Sequence, residues 1–396
     1  MGIENSMEQD SNRNADSGPG MARVQKLEKK YLYWLTRIPG FGAVTIRRIW
    51  ETAGSFENAY YIEGMELKKQ GILQSEEKCR TYDRWKEQFS CMVREYDHLQ
   101  EKGIRFVTPL DREYPKRLLH IYDYPMGLYV KGELPDEECP TAAIIGARNC
   151  TEYGRQAAGF MGKELAKAGV QIVSGLALGI DGAGHEGALK GKGKTYGVLG
   201  CGVNICYPRS NYYLYEAIPS QGGIISEFGP GEEPLARNFP MRNRIISGLS
   251  DVILIIEARK KSGSLITVSL GLEQGKEIFA LPGRITDTLS AGCNELIQSG
   301  AGILTSPEDV LEYMGIFHEK KCINREKDQK GLAKIEKMVY SCLDSEPRHP
   351  DQIMVQTGLS AGRCMSALLE LELEGLAVRT SGQNYMKTIT SVSYTH

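Results

Sequence analysis

Between residues 140 and 305, short apolar runs alternate with segments of helical length, and this alternation constrains the chain more than any other feature. Ala142–Ile145, Val170–Ser174, Thr195–Leu199, Gly223–Ser226, Val252–Glu257, Glu277–Ala280 and Gly302–Leu304 read as strands. Most are apolar throughout, as strands covered on both faces of a parallel sheet are. Gly154–Ala168, Asp181–Lys190, Ser210–Ser220 and Leu265–Gln274 read as the helices between them. Strands and helices alternating at this spacing predict βαβ units and a doubly wound, Rossmann-like parallel sheet over 104–315.

The flanks follow other patterns. Leu27, Tyr31, Trp34, Leu35 and Ile38 fall on one helical face, and Pro39-Gly40-Phe41-Gly42 ends that helix before a second through Ile46, Ile49 and Trp50. This predicts a small helical domain over 23–103, like a SAM or helix-hairpin-helix unit, whose hairpin amides could meet a phosphate; a plain helical corner fits the residues equally. Residues 1–22 are polar and read as a disordered tail, and 316–330 as a charged linker. Over 331–390, helices at Ala333–Leu343, His349–Thr357 and Ser360–Glu374 precede a hairpin, Leu376–Thr380 to Gln383–Met386, which together predict a winged helix. Its third helix carries Arg363 but also Glu370 and Glu374, which favours a protein-facing use over major-groove reading.

Composition excludes several classes. No apolar run reaches the ~20 residues of a membrane-spanning helix, so no membrane partner is expected. The N-terminus has no apolar core of a secretory signal. The ten cysteines show no CxxC or zinc spacing, so neither a metal nor disulfides are expected, and the expected compartment is a reducing cytoplasm. A formal net charge of −2 means that any nucleic-acid binding must come from local clustering.

Three apparent catalytic signatures fail on position. Gly182-Ala183-Gly184-His185-Glu186-Gly187 matches GxGxxG, but the strand before it ends near Ser174, so its glycines fall inside a helix and predict close packing. Gly193-Lys194-Thr195 precedes a strand instead of following one, and Ala188 stands where a P-loop begins with glycine. Asp181 and His185 share a helix without a nucleophile beside them. The residues therefore predict no catalytic group and no cofactor.

What remains suits a chain of phosphates. Gly146-Ala147-Arg148, Ser174-Gly175, Gly200-Cys201-Gly202 and Tyr207-Pro208-Arg209 all follow strands, and the carboxyl ends of strands are where open α/β sheets bind ligands. Arg237-Asn238-Phe239-Pro240-Met241-Arg242-Asn243-Arg244 reads as a Pro-bounded loop offering arginines to phosphates and a ring to a base. A helix start, with Arg242 and Arg244 in internal ion pairs, is the competing possibility. Lys260-Lys261-Ser262-Gly263-Ser264 adds a second basic loop. The DNA-binding set is thus Arg148, Ser174, Gly175, Arg209, Arg237, Phe239, Arg242, Asn243, Arg244, Gly263 and Ser264.

The segments SGLALGIDGAGHEGAL (174–189), VLGCGVNICYPRSN (198–211), NFPMRNRIISGLSDVILIIEARKKSGSLIT (238–267) and LPGRITDTLSAGCNELIQSGAGILTSPEDVL (281–311) resemble the DNA-processing protein A (DprA/Smf) family. The resemblance covers the whole middle domain, and the flanks match the family's three-part layout. It implies a non-enzymatic single-stranded DNA-binding protein that dimerises, protects incoming DNA during natural transformation and helps load the RecA recombinase. It places family DNA contacts on Arg148, Arg209 and the Phe239–Arg244 block. Leu178 and Ala236 stand where the family often has Arg and Lys, leaving Arg237 to supply charge near the latter. The runner-up is a nucleotide-acting Rossmann enzyme of the phosphoribohydrolase type, whose PGGxGTxxE loop has no Pro-Gly-Gly counterpart at Lys261–Thr267.

Overall fold

A computed structural model describes residues 19–316 and 333–388. Its centre is a nine-stranded sheet: β1 (Arg105–Val107), β2 (Leu128–Gly132), β3 (Thr141–Ile145), β4 (Gln171–Ser174), β5 (Thr195–Leu199), β6 (Gly222–Ser226), β7 (Val252–Ile255), β8 (Glu277–Ala280) and β9 (Gly302–Ile303). The spatial order is β1-β2-β6-β5-β4-β3-β7-β8-β9, so the winding direction reverses between β3 and β7. The seven strands from β3 onward run parallel to one another; β2 pairs antiparallel with β6, and β1 antiparallel with β2, closing one edge. Strands β3 to β7 are buried at every residue, which is why they read as unbroken apolar runs. The two antiparallel strands are not legible as apolar runs of that kind.

Helices α1 (Pro19–Arg37), α2 (Ala43–Ala53), α3 (Phe56–Tyr61), α4 (Gly64–Lys69), α5 (Glu76–Lys86) and α6 (Phe89–Asp97) precede the sheet. Helix α1 starts inside the stretch expected to be disordered; the rest of that tail lies outside the described residues. Tyr31, Leu32, Tyr33, Trp34 and Leu35 are all buried while Leu27 is 40% exposed, so the helix is enclosed on every side near its end and its apolar stripe stops short of Leu27. The core of these helices runs without a break into the sheet domain, taking in Leu176, Leu199, Val203 and Tyr215.

Helices α7 (Glu152–Lys167), α8 (Ile180–Lys190), α9 (Tyr212–Ala217), α10 (Asn238–Leu249), α11 (Gly263–Glu273), α12 (Ala291–Gln298) and α13 (Pro307–Tyr313) cover the sheet. The GxGxxG glycines lie inside α8, as their position predicts. They serve contact with α7 as much as with the sheet: a Cβ on Gly187 would stand 2.1 Å from the Gly159 carbonyl oxygen, and one on Gly184 3.0 Å from Ile144. The linker expected at 316–330 lies outside the described residues apart from Ile316. Beyond it, α14 (Lys334–Cys342), α15 (Pro350–Thr357), α16 (Ala361–Leu373) and the hairpin β10 (Ala377–Arg379)–β11 (Tyr385–Lys387) form the winged helix around Val339, Ile353, Leu368 and Leu371.

Candidate nucleic-acid interface

An open α/β sheet binds its ligand beyond the strand ends where the winding reverses, with anions drawn to free amides at a helix start. Here that place is already filled. Glu257, just beyond β7 and only 4% exposed, accepts the Thr151 backbone N–H at 2.8 Å and the Thr151 hydroxyl, at the start of α7. A Cβ on Gly154 would lie 2.4 Å from the Glu257 carboxyl carbon, so glycine is what admits this carboxylate. Asp181 does the same one strand over, accepting the Gly175 N–H at 3.1 Å. Two of the sheet's anion positions thus hold the protein's own carboxylates.

This arrangement corrects part of the expected DNA-binding set. Residues 238–249 are helix α10, not a loop, because proline is tolerated in a first helical turn and Pro240 sits there. The helical register turns Arg242 and Arg244 inward, to 4% and 6% exposure. Arg242 donates to the Gly175 carbonyl at 2.9 Å and to the Val198 carbonyl, with Asp181 beside it. Burial outweighs their mutual attraction, pushing the Asp181 carboxyl up and the Arg242 guanidinium down to about 10. Arg244 bonds Glu227 at 2.7 Å and Asp123 at 2.9 Å. Neither guanidinium faces solvent. Ser174 is fully buried and donates to the Ile144 carbonyl at 2.6 Å, and the Gly175 amide is taken by Asp181, so neither is available to a strand. Asn243 is half-buried behind them.

The remaining residues form a surface over the ends of β5 and β3. The Phe239 ring lies against the backbone of Gly200, where a Cβ would come within 2.9 Å of it. Asn238 holds this contact from below, donating to the Gly200 carbonyl at 3.1 Å. The Arg148 guanidinium lies 5.4 Å from the Phe239 ring centre. On the same ring, Tyr207 packs at 5.6 Å with a 32° tilt and remains 42% exposed. Arg148, Arg209 and Arg237 are all exposed. Gly263 and Ser264 sit one strand further on, in the first turn of α11 after β7, where the Ser262 side chain accepts the Ser264 N–H. Tyr207, Asn238 and Glu257 are members that reading the sequence passes over. The Tyr-Pro-Arg run directly after a strand is the signal that marks Tyr207; nothing local marks the other two.

Fold and surface together define a doubly wound α/β protein with internally closed anion positions, an exposed arginine–aromatic edge and an attached winged helix. The model for the DNA recombination-mediator protein A family matches residues 105–315, and the DprA winged-helix model matches residues 324–383. The chain belongs to the DNA recombination-mediator protein A family, whose role is DNA processing in recombination. The DNA processing protein DprA of Streptococcus pneumoniae is 46% identical over 216 residues, 54% of this chain and 76% of that protein. Protein Smf of Escherichia coli is 39% identical over 289 residues, 71% of this chain and 77% of that protein. The crystal structure of S. pneumoniae DprA superposes with a TM-score of 0.63 at 34% identity, covering 72% of this chain and 97% of that one. No helix among the described residues is long and apolar enough to cross a membrane.

Proposed function

We propose that this protein binds single-stranded DNA without altering it covalently, protects incoming strands during natural transformation, and helps load the RecA recombinase as a cytoplasmic homodimer. The observation that carries the DNA reading is the half-buried Phe239 ring, flanked by the exposed Arg148 and Tyr207 at the sheet's carboxyl edge. Arginines attract phosphates, and exposed rings accept bases, whose faces a duplex hides but a single strand presents. Closure of the α7 start by Glu257 supports the non-catalytic reading over a nucleotide-acting enzyme, because a mononucleotide phosphate would have to displace a buried carboxylate.

A salt titration comparing single- and double-stranded oligonucleotides tests the proposal. With Arg148, Arg209 and Arg237 as the exposed arginines, log K for a single strand should fall against log salt with a slope of about −2. Equal affinity for duplex would sink the stacking role. Release of free base from nucleoside monophosphates would favour the enzyme instead. Co-precipitation with RecA, with and without single-stranded DNA, and the solution mass by light scattering test the partner and the dimer.

A further inference from the structure

Arg148 has a second face. Besides overlying Phe239, it lines a pocket of about 230 Å³ whose other walls include Asn149, Arg155, Glu186 and Tyr213 but neither Phe239 nor Tyr207. Gly179 and Gly182 line it without side chains, beside Leu178, Ala183 and Asn211. At this size it is smaller than the ~300–1,000 Å³ sites that enclose whole drug-sized ligands, and suits one nucleotide unit.

Its charges are available. Among the described residues Arg148 makes no ion pair, and the Arg155–Glu152 pair is loose at 3.6 Å with the Arg155 side chain 52% exposed. The one acid in the wall, Glu186, is held by Lys190 at 2.8 Å. Two guanidiniums with spare donors at one rim suit a phosphate, which arginine binds through paired N–H groups. Tyr213, 56% exposed, offers a ring to the attached base.

We propose that this pocket takes the nucleotide adjoining the one on Phe239, with its phosphate between Arg148 and Arg155 and its base against Tyr213. Arg148 would then hold the strand between two base-accepting stations, making Arg155 and Tyr213 binding residues for the same polymer. The inference rests on the single-strand reading above.

Fluorescence anisotropy with oligo-dT of about 3 to 12 nucleotides tests it on the full chain carrying Arg155→Glu or Tyr213→Ala, with Arg148→Glu and Phe239→Ala as references. Both positions are exposed, so the fold should survive, and circular dichroism checks this. Arg155→Glu should weaken the longer oligonucleotides roughly 10-fold and make the salt slope shallower by about 0.7, leaving the shortest unchanged. Tyr213→Ala should cost at least about 5-fold on the same lengths. If both variants match the wild type at every length while the references lose affinity, the pocket is wrong and the Phe239 surface stands. If the references also bind normally, the single-strand reading itself fails. Arg155-dependent binding of thymidine monophosphate, with oligo-dT unaffected by Arg155→Glu, would make this a free-nucleotide site and overturn the proposal.

Discussion

Inside the sheet domain the Arg242 guanidinium is held by two carbonyls and feels the charge of the buried Asp181 carboxylate, while Arg237, five residues earlier, is exposed. Arg242→Ala strands that buried carboxylate, a change that typically costs ~3–5 kcal/mol, so urea denaturation should show a large loss of stability. Arg237→Ala should leave stability within ~0.5 kcal/mol and instead make the salt slope for single-stranded DNA shallower by about 0.7. Residue type cannot separate these two arginines; only the helical register of α10 does, and Pro240 disguises that helix as a loop. His185 makes the same point through protonation. It is fully buried, its Nδ1 is 2.7 Å from the Thr195 hydroxyl, and burial, then Arg242, holds it down at about 3. Between about 3 and the ordinary 6.5 the unfolded chain carries a proton that the folded one refuses. Stability therefore falls as pH drops through that window, by up to ~1.4 kcal/mol per unit from this group. Asp181, pushed up by burial, contributes the opposite slope as it gains its proton, so the informative measurement is the difference from His185→Asn. That variant should flatten the acid side; an unchanged profile would exclude His185 as its source.

Elements were legible where burial is uniform. All seven parallel strands appear in the sequence within one or two residues of their ends, most plainly β3 to β7, which are buried at every residue and therefore carry no charged side chain. The antiparallel β1 and β2 escaped because Arg105-Phe106-Val107 is only three residues long and turns rich in Pro and Tyr surround both strands. The α7–α8 contact was legible as glycine content but not as geometry. A paired substitution separates these two. Gly187→Ala places a carbon 2.1 Å from the Gly159 carbonyl oxygen and must push the helices apart, at ~1–3 kcal/mol. Gly159→Ala meets nothing closer than 3.7 Å and should gain up to ~0.5–1 kcal/mol from helix propensity. Thermal melts of the two variants should move in opposite directions; a shared direction would mean that the helices are not fixed by this contact.

Across the whole molecule, the composition regimes suggest separable parts, but the first two share one core. Periodicity reports which residues are buried, not which element buries them, so this union was invisible in the sequence. The join includes one polar clasp: Arg37, at the end of α1, pairs with Glu232 at 2.8 Å and lies against Gly229, in the loop that leads to α10 and Phe239. Arg37→Ala should therefore weaken single-strand binding several-fold at an unchanged salt slope, since a residue that touches no phosphate releases no counterion. A shallower slope would place Arg37 on the strand itself. The carboxylates at Thr151 and Gly175 carry a different consequence. Many proteins of this architecture borrow negative charge from a cofactor and loosen when it leaves. This one fills those positions with its own Glu257 and Asp181, so no ligand is needed to close them. A polymer lying across such an edge can be peeled off and passed on one segment at a time, with nothing beneath it needing to reassemble.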